Sequence, residues 1–291
     1  MGTTTAEAFC FVGCDGTTIE GTHWPSQGPA RAVVQIAHGM GEHIGRYAQT
    51  AAFLSGHGIA VLGNDHRGHG RTGTASGETG SFGNAGFDGL VADIGLLLAI
   101  GRARYPGLPV ILLAHSMGSF AAQQLILTQS ERLDGVILSG TGALDALFQE
   151  LEQLNFDATR LTTRSLARVR KSHDWLSREP RAVDAFLDDP LCFAAIDRDA
   201  AASVARAAPI LADPGVLRAI RPDLPVYCIA GSLDPIGQNS AGVRLLMQRY
   251  AAAGLHDVRC VVYEGGRHEM LNETNRGEVL ANLLDWIEQT L

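Results

Sequence analysis

Short apolar or β-branched runs alternate with longer stretches of helical periodicity along this chain. The runs predict strands at 8–12, 31–37, 59–63, 110–114, 135–138, 226–230 and 258–263. Between them, helical patterns fall at 46–55, 87–104, 117–129, 242–253 and 277–290. Near-continuous apolar strands separated by helices indicate an α/β fold, with a mostly parallel sheet covered on both faces. Ligands then bind at the carboxyl ends of the strands. The alternation stops between about 142 and 208, where helical segments are joined by polar turns. That stretch leaves the sheet after one strand and returns before another. The expectation is a helical cap at 143–207, inserted into a core made of 1–142 and 208–291.

Within the insert, Leu144, Leu147, Phe148, Leu151 and Leu154 recur at helical spacing. Packing against the core explains that stripe better than a membrane-docking face. Asp145, Glu150 and Glu152 lie among these residues, and an anionic membrane would repel them. A basic stretch follows: Arg160, Arg164, Arg168, Arg170 and Lys171. It reads as a solvated helix face or, more sharply, as a handle for an anionic head group.

Composition narrows the function. A chain of 291 residues with 46% apolar content can bury one large core. Its net charge of −8 gives no general attraction to nucleic acid or anionic membrane, so no nucleic-acid partner is expected. The five cysteines are odd in number and form no CxxC, which points to free, packed thiols rather than a disulfide or metal framework. The start of the chain lacks a basic segment followed by a long apolar one, and no apolar run reaches membrane-spanning length. Neither signal peptide nor membrane span is expected, and the default location is the cytoplasm. Peripheral contact with lipid stays open, as do monomer and homodimer.

The strongest chemical signal is Ala114-His-Ser-Met-Gly118, where an apolar strand ends and an amphipathic helix begins at once. A serine on such a turn is pushed out above the sheet, and small flanking residues let the turn close. The usual pattern is G-x-S-x-G; here Ala114 takes the first position. Ser116 is therefore the candidate nucleophile. Of ten histidines, His268 is best placed as its base, on a loop after the last predicted strand. His115 adjoins Ser116 and reads as structural, since neighbours on a turn point apart. Asp234 follows the strand at 226–230 and completes the chain order Ser, Asp, His that this architecture requires. Its task is to hold the imidazole in one tautomer and stabilise its charged form. Asp257 and Glu264 are less well placed alternatives. Two backbone donors for a tetrahedral oxyanion are expected at Met117, directly after the serine, and at Met40 in the loop His38-Gly-Met-Gly-Glu-His43. His38 with His43, and Asp65 with His66 and His69, mimic metal-ligand sets. Asp65-His-Arg-Gly-His-Gly70 instead reads as a turn stitched by side-chain hydrogen bonds, and no metal is expected.

Together these motifs resemble the monoglyceride lipase/lysophospholipase branch of the α/β-hydrolases, a serine aminopeptidase S33-type family. His38-Gly-Met-Gly-Glu-His43 with Gly45-Arg-Tyr47 looks like its oxyanion loop. Asp65 to Gly70 looks like its next strand-end turn, and Ala114 to Gly118 like its nucleophile elbow. Trp175-Leu-Ser-Arg178 and Asp189-Pro-Leu-Cys192 look like its cap. Gly231-Ser-Leu-Asp234 and Gly266-Arg-His-Glu-Met270 look like its acid and base loops. The resemblance implies an α/β-hydrolase fold with an inserted helical cap, hydrolysis of carboxylic esters with the acyl chain under that cap, and no cofactor. It also implies that Glu42 and Arg46 meet the alcohol end of the substrate. A polar histidine three residues after the base in animal relatives is here Leu271. An acyl chain needs a concave apolar wall, and Trp175, Phe186 and Phe193 are expected to line or support it. The partner is then a small ester or lipid. Acyl transfer to an alcohol on the same triad is an alternative, as is a slow small-molecule receptor on this fold.

Overall fold

A computed structural model describes residues 5–166 and 168–291. Eight strands form one sheet: β1 (Glu7–Val12), β2 (Thr18–Trp24), β3 (Ala32–Ala37), β4 (Ile59–Asn64), β5 (Val110–His115), β6 (Gly135–Ser139), β7 (Val226–Gly231) and β8 (Val258–Tyr263). Their spatial order is β1-β2-β4-β3-β5-β6-β7-β8. Pairing is antiparallel from β1 to β2 and from β2 to β4, and parallel across the rest. The parallel strands β3, β4, β5, β6 and β7 are buried along their whole length, as their unbroken apolar runs predict.

Side chains alternate between the two faces. Val110, Leu112 and Ala114 enter one core, while Ile111 and Leu113 enter the other. The helices covering the sheet and joining its strands are α1 (Ala48–Gly56), α2 (Gly70–Ser76), α3 (Gly86–Arg104), α4 (Met117–Gln129), α5 (Leu144–Gln153), α6 (Ala158–Thr163), α7 (Pro180–Asp188), α8 (Arg198–Ala212), α9 (Pro214–Leu217), α10 (Ala241–Ala253) and α11 (Arg276–Thr290). Helices α3, α4, α8 and α10 bury their apolar residues on the first face, through Leu90, Ile94, Leu125, Val204 and Leu246. On the other, α1 and α11 contribute Leu54, Leu283 and Trp286. Among the described residues no helix is long and apolar enough to cross a membrane.

Strand β2, helix α2 and the short helix α9 lie outside the sequence expectation. Strand β2 mixes Thr, Glu, Gly and His with its apolar residues, so its period is weak. It is held by the hairpin to β1, where the Phe9 ring lies over Gly21, 2.5 Å from where a Cβ would stand. Helix α2 is Gly- and Thr-rich and carries no apolar stripe.

Helices α5 to α8 form the insert between β6 and β7, and α8 runs on to Ala212, past the expected end at 207. Leu144 and Leu147 are buried in the core, with Phe148, Leu151 and Leu154 packed partly buried against it, as expected for a packing stripe. The basic stretch is not one helix face, because α6 ends at Thr163. Arg164 pairs with Glu150, and Arg170 and Lys171 pair with Asp184. The five thiols are free, as expected, but not all packed: Cys228 is buried, while Cys10 on the edge strand β1 and Cys14 in the turn after it are exposed.

Candidate active site

Strand β5 runs straight into α4 with Ser116 between them. Ser116 sits at φ 51° and ψ −122°, a region that side chains rarely occupy, which costs on the order of 1–3 kcal/mol. Neighbours hold it there. Its N–H donates to Ser139 O at 2.9 Å, and the Ser119 hydroxyl donates to its carbonyl at 2.6 Å. Gly118 admits no side chain, since a Cβ would stand 2.4 Å from Ala37 O. Met117 opens α4, so its N–H has no partner four residues back within the helix.

Asp234 and His268 come together through the loops that follow β7 and β8. Gly231 lies so close to the second loop that a Cβ would meet Gly266 O at 2.3 Å. Ser232 N–H donates to Tyr263 O, and Leu233 N–H donates to Gly266 O. As a result His268 Nδ1 lies 2.9 Å from Asp234 Oδ1, with both residues buried. The Asp234 carboxylate also accepts from Ile236 N–H at 2.9 Å. Because a carboxylate only accepts, the His268–Asp234 bond places the histidine proton on Nδ1 and frees Nε2 as an acceptor. Burial alone depresses the His268 pKa, but Asp234, then Glu269 and Glu42, outweigh burial and raise it above the usual imidazole value. The alternatives to Asp234 lie elsewhere: Asp257 precedes β8 and binds Arg259, and Glu264 is exposed. His115 packs its ring 4.6 Å from that of His268. Burial and then His268 push its pKa down to about 4, so it stands beside the site as a neutral ring.

The loop after β3 is fixed from below. His38 Nδ1 lies 2.8 Å from Gly39 O, and His66 N–H donates to His38 Nε2 at 3.0 Å. The turn at 65–70 is stitched as the sequence predicts: Asp65 accepts from Ile44 N–H, Arg71 N–H and Arg71 Nε. Gly39 lies against the serine, where a Cβ would come within 3.0 Å of Ser116 Cβ. Met40 is half exposed and lines the same cavity as Ser116 and His268.

Glu42 and Arg46 bind each other and neighbouring groups. Both oxygens of Glu42 are engaged: Oε1 accepts from Gly39 N–H at 2.6 Å and Tyr47 OH at 2.7 Å, and Oε2 from Arg46 at 2.6 Å. Arg46 in turn grips Glu269 with two bonds of 2.7 Å. Burial disfavours each carboxylate, yet Arg46 outweighs burial and holds both pKa values below the usual range. The pair is thus built into the scaffold by buried partners, and Glu42 also lines the cavity that Ser116 and His268 line. Glu269 did not figure among the expected site residues; the one available signal was an acidic residue directly after the base.

The three insert aromatics do reach the site. A cavity of about 70 Å³ is lined by Ser116, His268, Met40, Trp175, Phe186 and Phe193. The Trp175 ring is 4.9 Å from that of His268, and Phe186 lies 5.0 Å beneath the Arg46 guanidinium. His268 N–H donates to Trp175 O and Glu269 N–H to Leu176 O, so the insert pairs with the base loop through its backbone. His43, Asp189 and Cys192 bring three ligand-type atoms within 4.8 Å. Gly45 N–H donates to His43 Nδ1, which leaves the ring proton on Nε2, committed to Asp189 at 2.9 Å. That group forms a hydrogen-bonded clasp between insert and core.

Known proteins carry the same architecture. The family model for serine aminopeptidase, S33, matches residues 28–275. Monoacylglycerol lipase of Mycolicibacterium smegmatis is 30% identical, covering 99% of each chain. Monoglyceride lipase of Homo sapiens is 30% identical over 96% of this chain and 89% of its own. Among solved structures, a thermostable carboxyl esterase from Bacillus coagulans in complex with glycerol superposes with a TM-score of 0.88 at 27% identity, covering 98% of this chain and 99% of its own.

Proposed function

This chain belongs to the serine aminopeptidase S33 family, as a serine-type carboxylic ester hydrolase of the monoacylglycerol lipase group, and on that premise we propose that it cleaves monoacyl esters through an acyl-enzyme on Ser116. Ser116 Oγ attacks the ester carbonyl and passes its proton to His268 Nε2. The carbonyl oxygen becomes an oxyanion, held by the N–H groups of Met40 and Met117. Collapse breaks the bond to the alcohol, which leaves with the proton from His268. Water, deprotonated by the same histidine, then releases the acid and restores the serine. Asp234 keeps the imidazole in the tautomer that this sequence needs.

The observation that carries the reading is the buried 2.9 Å bond from His268 to Asp234, opening on the cavity that the strained Ser116 turn also lines. Monoacylglycerols are the favoured substrates, because relatives bearing that name match over nearly the whole chain. Lysophospholipids come second. The acyl chain lies under the insert against Trp175, Phe186 and Phe193. A panel of p-nitrophenyl esters, monoacylglycerols and lysophospholipids tests this. Turnover of monoacylglycerols above the other classes supports it; turnover confined to short activated esters rejects the lipid assignment.

A further inference from the structure

Three buried charges link the two loops on which the proposed chemistry depends. Glu269 follows His268 directly in the chain, and both its oxygens bind Arg46 at 2.7 Å. Arg46 reaches on to Glu42 Oε2 at 2.6 Å. Glu42 Oε1 takes the N–H of Gly39, the residue before Met40, at 2.6 Å. The path therefore runs from the base loop to the oxyanion loop without a gap. Side-chain exposure is 5% for Glu269, 10% for Arg46 and 4% for Glu42, so water hardly competes for these bonds.

The path is rigid at both ends. Glu269 N–H is tied to Leu176 O at 2.7 Å, and Asn272 Nδ2 donates to its Oε2 at 3.0 Å. Tyr47 OH supplies a second donor to Glu42 Oε1. A planar guanidinium bound at two points fixes the angle of its partner as well as its distance, which a single ammonium contact does not. Isolated charges buried this deeply would be costly, and breaking one link strands the others.

We propose that Glu269 is a positioning residue that acts through Arg46 and Glu42 to hold the base loop in register with the oxyanion loop. This rests on the triad and oxyanion roles proposed above. Glu269 touches no reacting atom; it sets the spacing between the group that moves the proton and the N–H that meets the oxyanion. Misplacement of a reacting group by about 1 Å costs on the order of 10²-fold in rate.

The test compares Glu269→Gln, Arg46→Lys and the double variant Glu42→Gln/Glu269→Gln with wild type. Rates are normalised to sites titrated with a fluorophosphonate, so that unfolded protein does not count. Expected is a fall in kcat of about 10- to 100-fold in Glu269→Gln, with KM changed less than about threefold. The pH profile should move too. His268 is faced by Asp234, Glu269, Glu42 and His115, and removing one negative charge should shift the acid limb to lower pH. Arg46→Lys should lose kcat similarly although the charge remains. The double variant should fall little further than Glu269→Gln alone, because one path is already broken. Unchanged kcat, a rise confined to KM, or losses that multiply in the double variant would each overturn the proposal. Failure of the triad reading looks different: wild type would then be unlabelled at Ser116 whatever the Glu269 variants do.

Discussion

The N–H of Phe193, in the insert, donates to the carbonyl of Gly41, in the oxyanion loop, at 2.9 Å. Gly41 adopts φ +72°, and a Cβ there would lie 2.1 Å from Phe193 O. The insert is thus seated directly on the loop beside Met40. Gly41→Ala should destabilise the chain by at least about 1–2 kcal/mol from the backbone alone, with the steric clash adding to it. It should also reduce ester turnover by displacing the insert. Denaturant midpoints and kcat/KM, measured together, check this. A variant as stable and active as wild type would show that the contact carries no weight.

Ser116→Ala should abolish turnover while the fold persists. The strained turn is set by Ser139, Ser119 and the space at Gly118 rather than by the serine hydroxyl. The loss should be on the order of 10⁴-fold or more, because members of a triad act as a unit. A fluorophosphonate should mark wild type on the peptide containing Ser116 and leave the variant unmarked. Full activity in the variant would remove Ser116 from the mechanism.

The raised pKa of His268 fixes the direction of the pH response. A base must be neutral to accept the serine proton, and a raised pKa keeps it protonated to higher pH. Activity should therefore fall on acidification through a midpoint above that of a free imidazole, about 6.5. Asp234→Asn removes the strongest influence that raises this pKa and also the partner that fixes the tautomer. It should move the midpoint down and cost about 10⁴-fold in kcat. Plots of log kcat/KM against pH for both proteins decide it. A wild-type midpoint well below 6.5 would contradict the electrostatics described here.

Part of this site was readable from residues alone. Ser116 and Asp234 follow strands that are buried along their whole length, and His268 follows β8, whose run is apolar except at Arg259, so the chain itself marks where the three stand. Met117 follows from the helix start in the same way. Glu269 was not readable, since its meaning depends on Arg46, 223 positions away in the chain. Glu42 and Arg46 were noticed, but a charged residue in a loop looks the same on paper whether it meets substrate or a buried partner. Strand β2 and helix α2 escaped because tertiary contacts hold them: the Phe9 ring over Gly21, and Thr72 bonded to Asp65 O and Glu20 N. The basic stretch near Arg164 misled in the opposite sense, because its partners Glu150 and Asp184 come from other helices.

The insert aromatics offer the most informative experiment on specificity. The cavity they share with Ser116 holds only about 70 Å³. Ordinary small-molecule pockets measure roughly 300–1,000 Å³, so the proposed acyl chain needs more room than this cavity offers. Trp175 faces the His268 ring, Phe186 supports Arg46, and Phe193 packs at a tilt against His69, with ring centres 4.9 Å apart. These positions differ in what they should do. Trp175→Ala widens the space beside the base and should shift the preferred acyl chain towards greater length. The change should be modest, since each buried methylene is worth about 0.8 kcal/mol, or roughly fourfold. Phe193→Ala removes the ring that anchors the insert over the histidines and should lower the melting temperature more than it alters chain preference. Phe186→Ala uncovers the Arg46 guanidinium and should lower kcat through that charge path. Profiles on p-nitrophenyl esters from acetate to laurate, taken beside melting curves, separate the three. Identical profiles in all three variants, with lowered melting points, would make these aromatics scaffold only and place the acyl chain elsewhere.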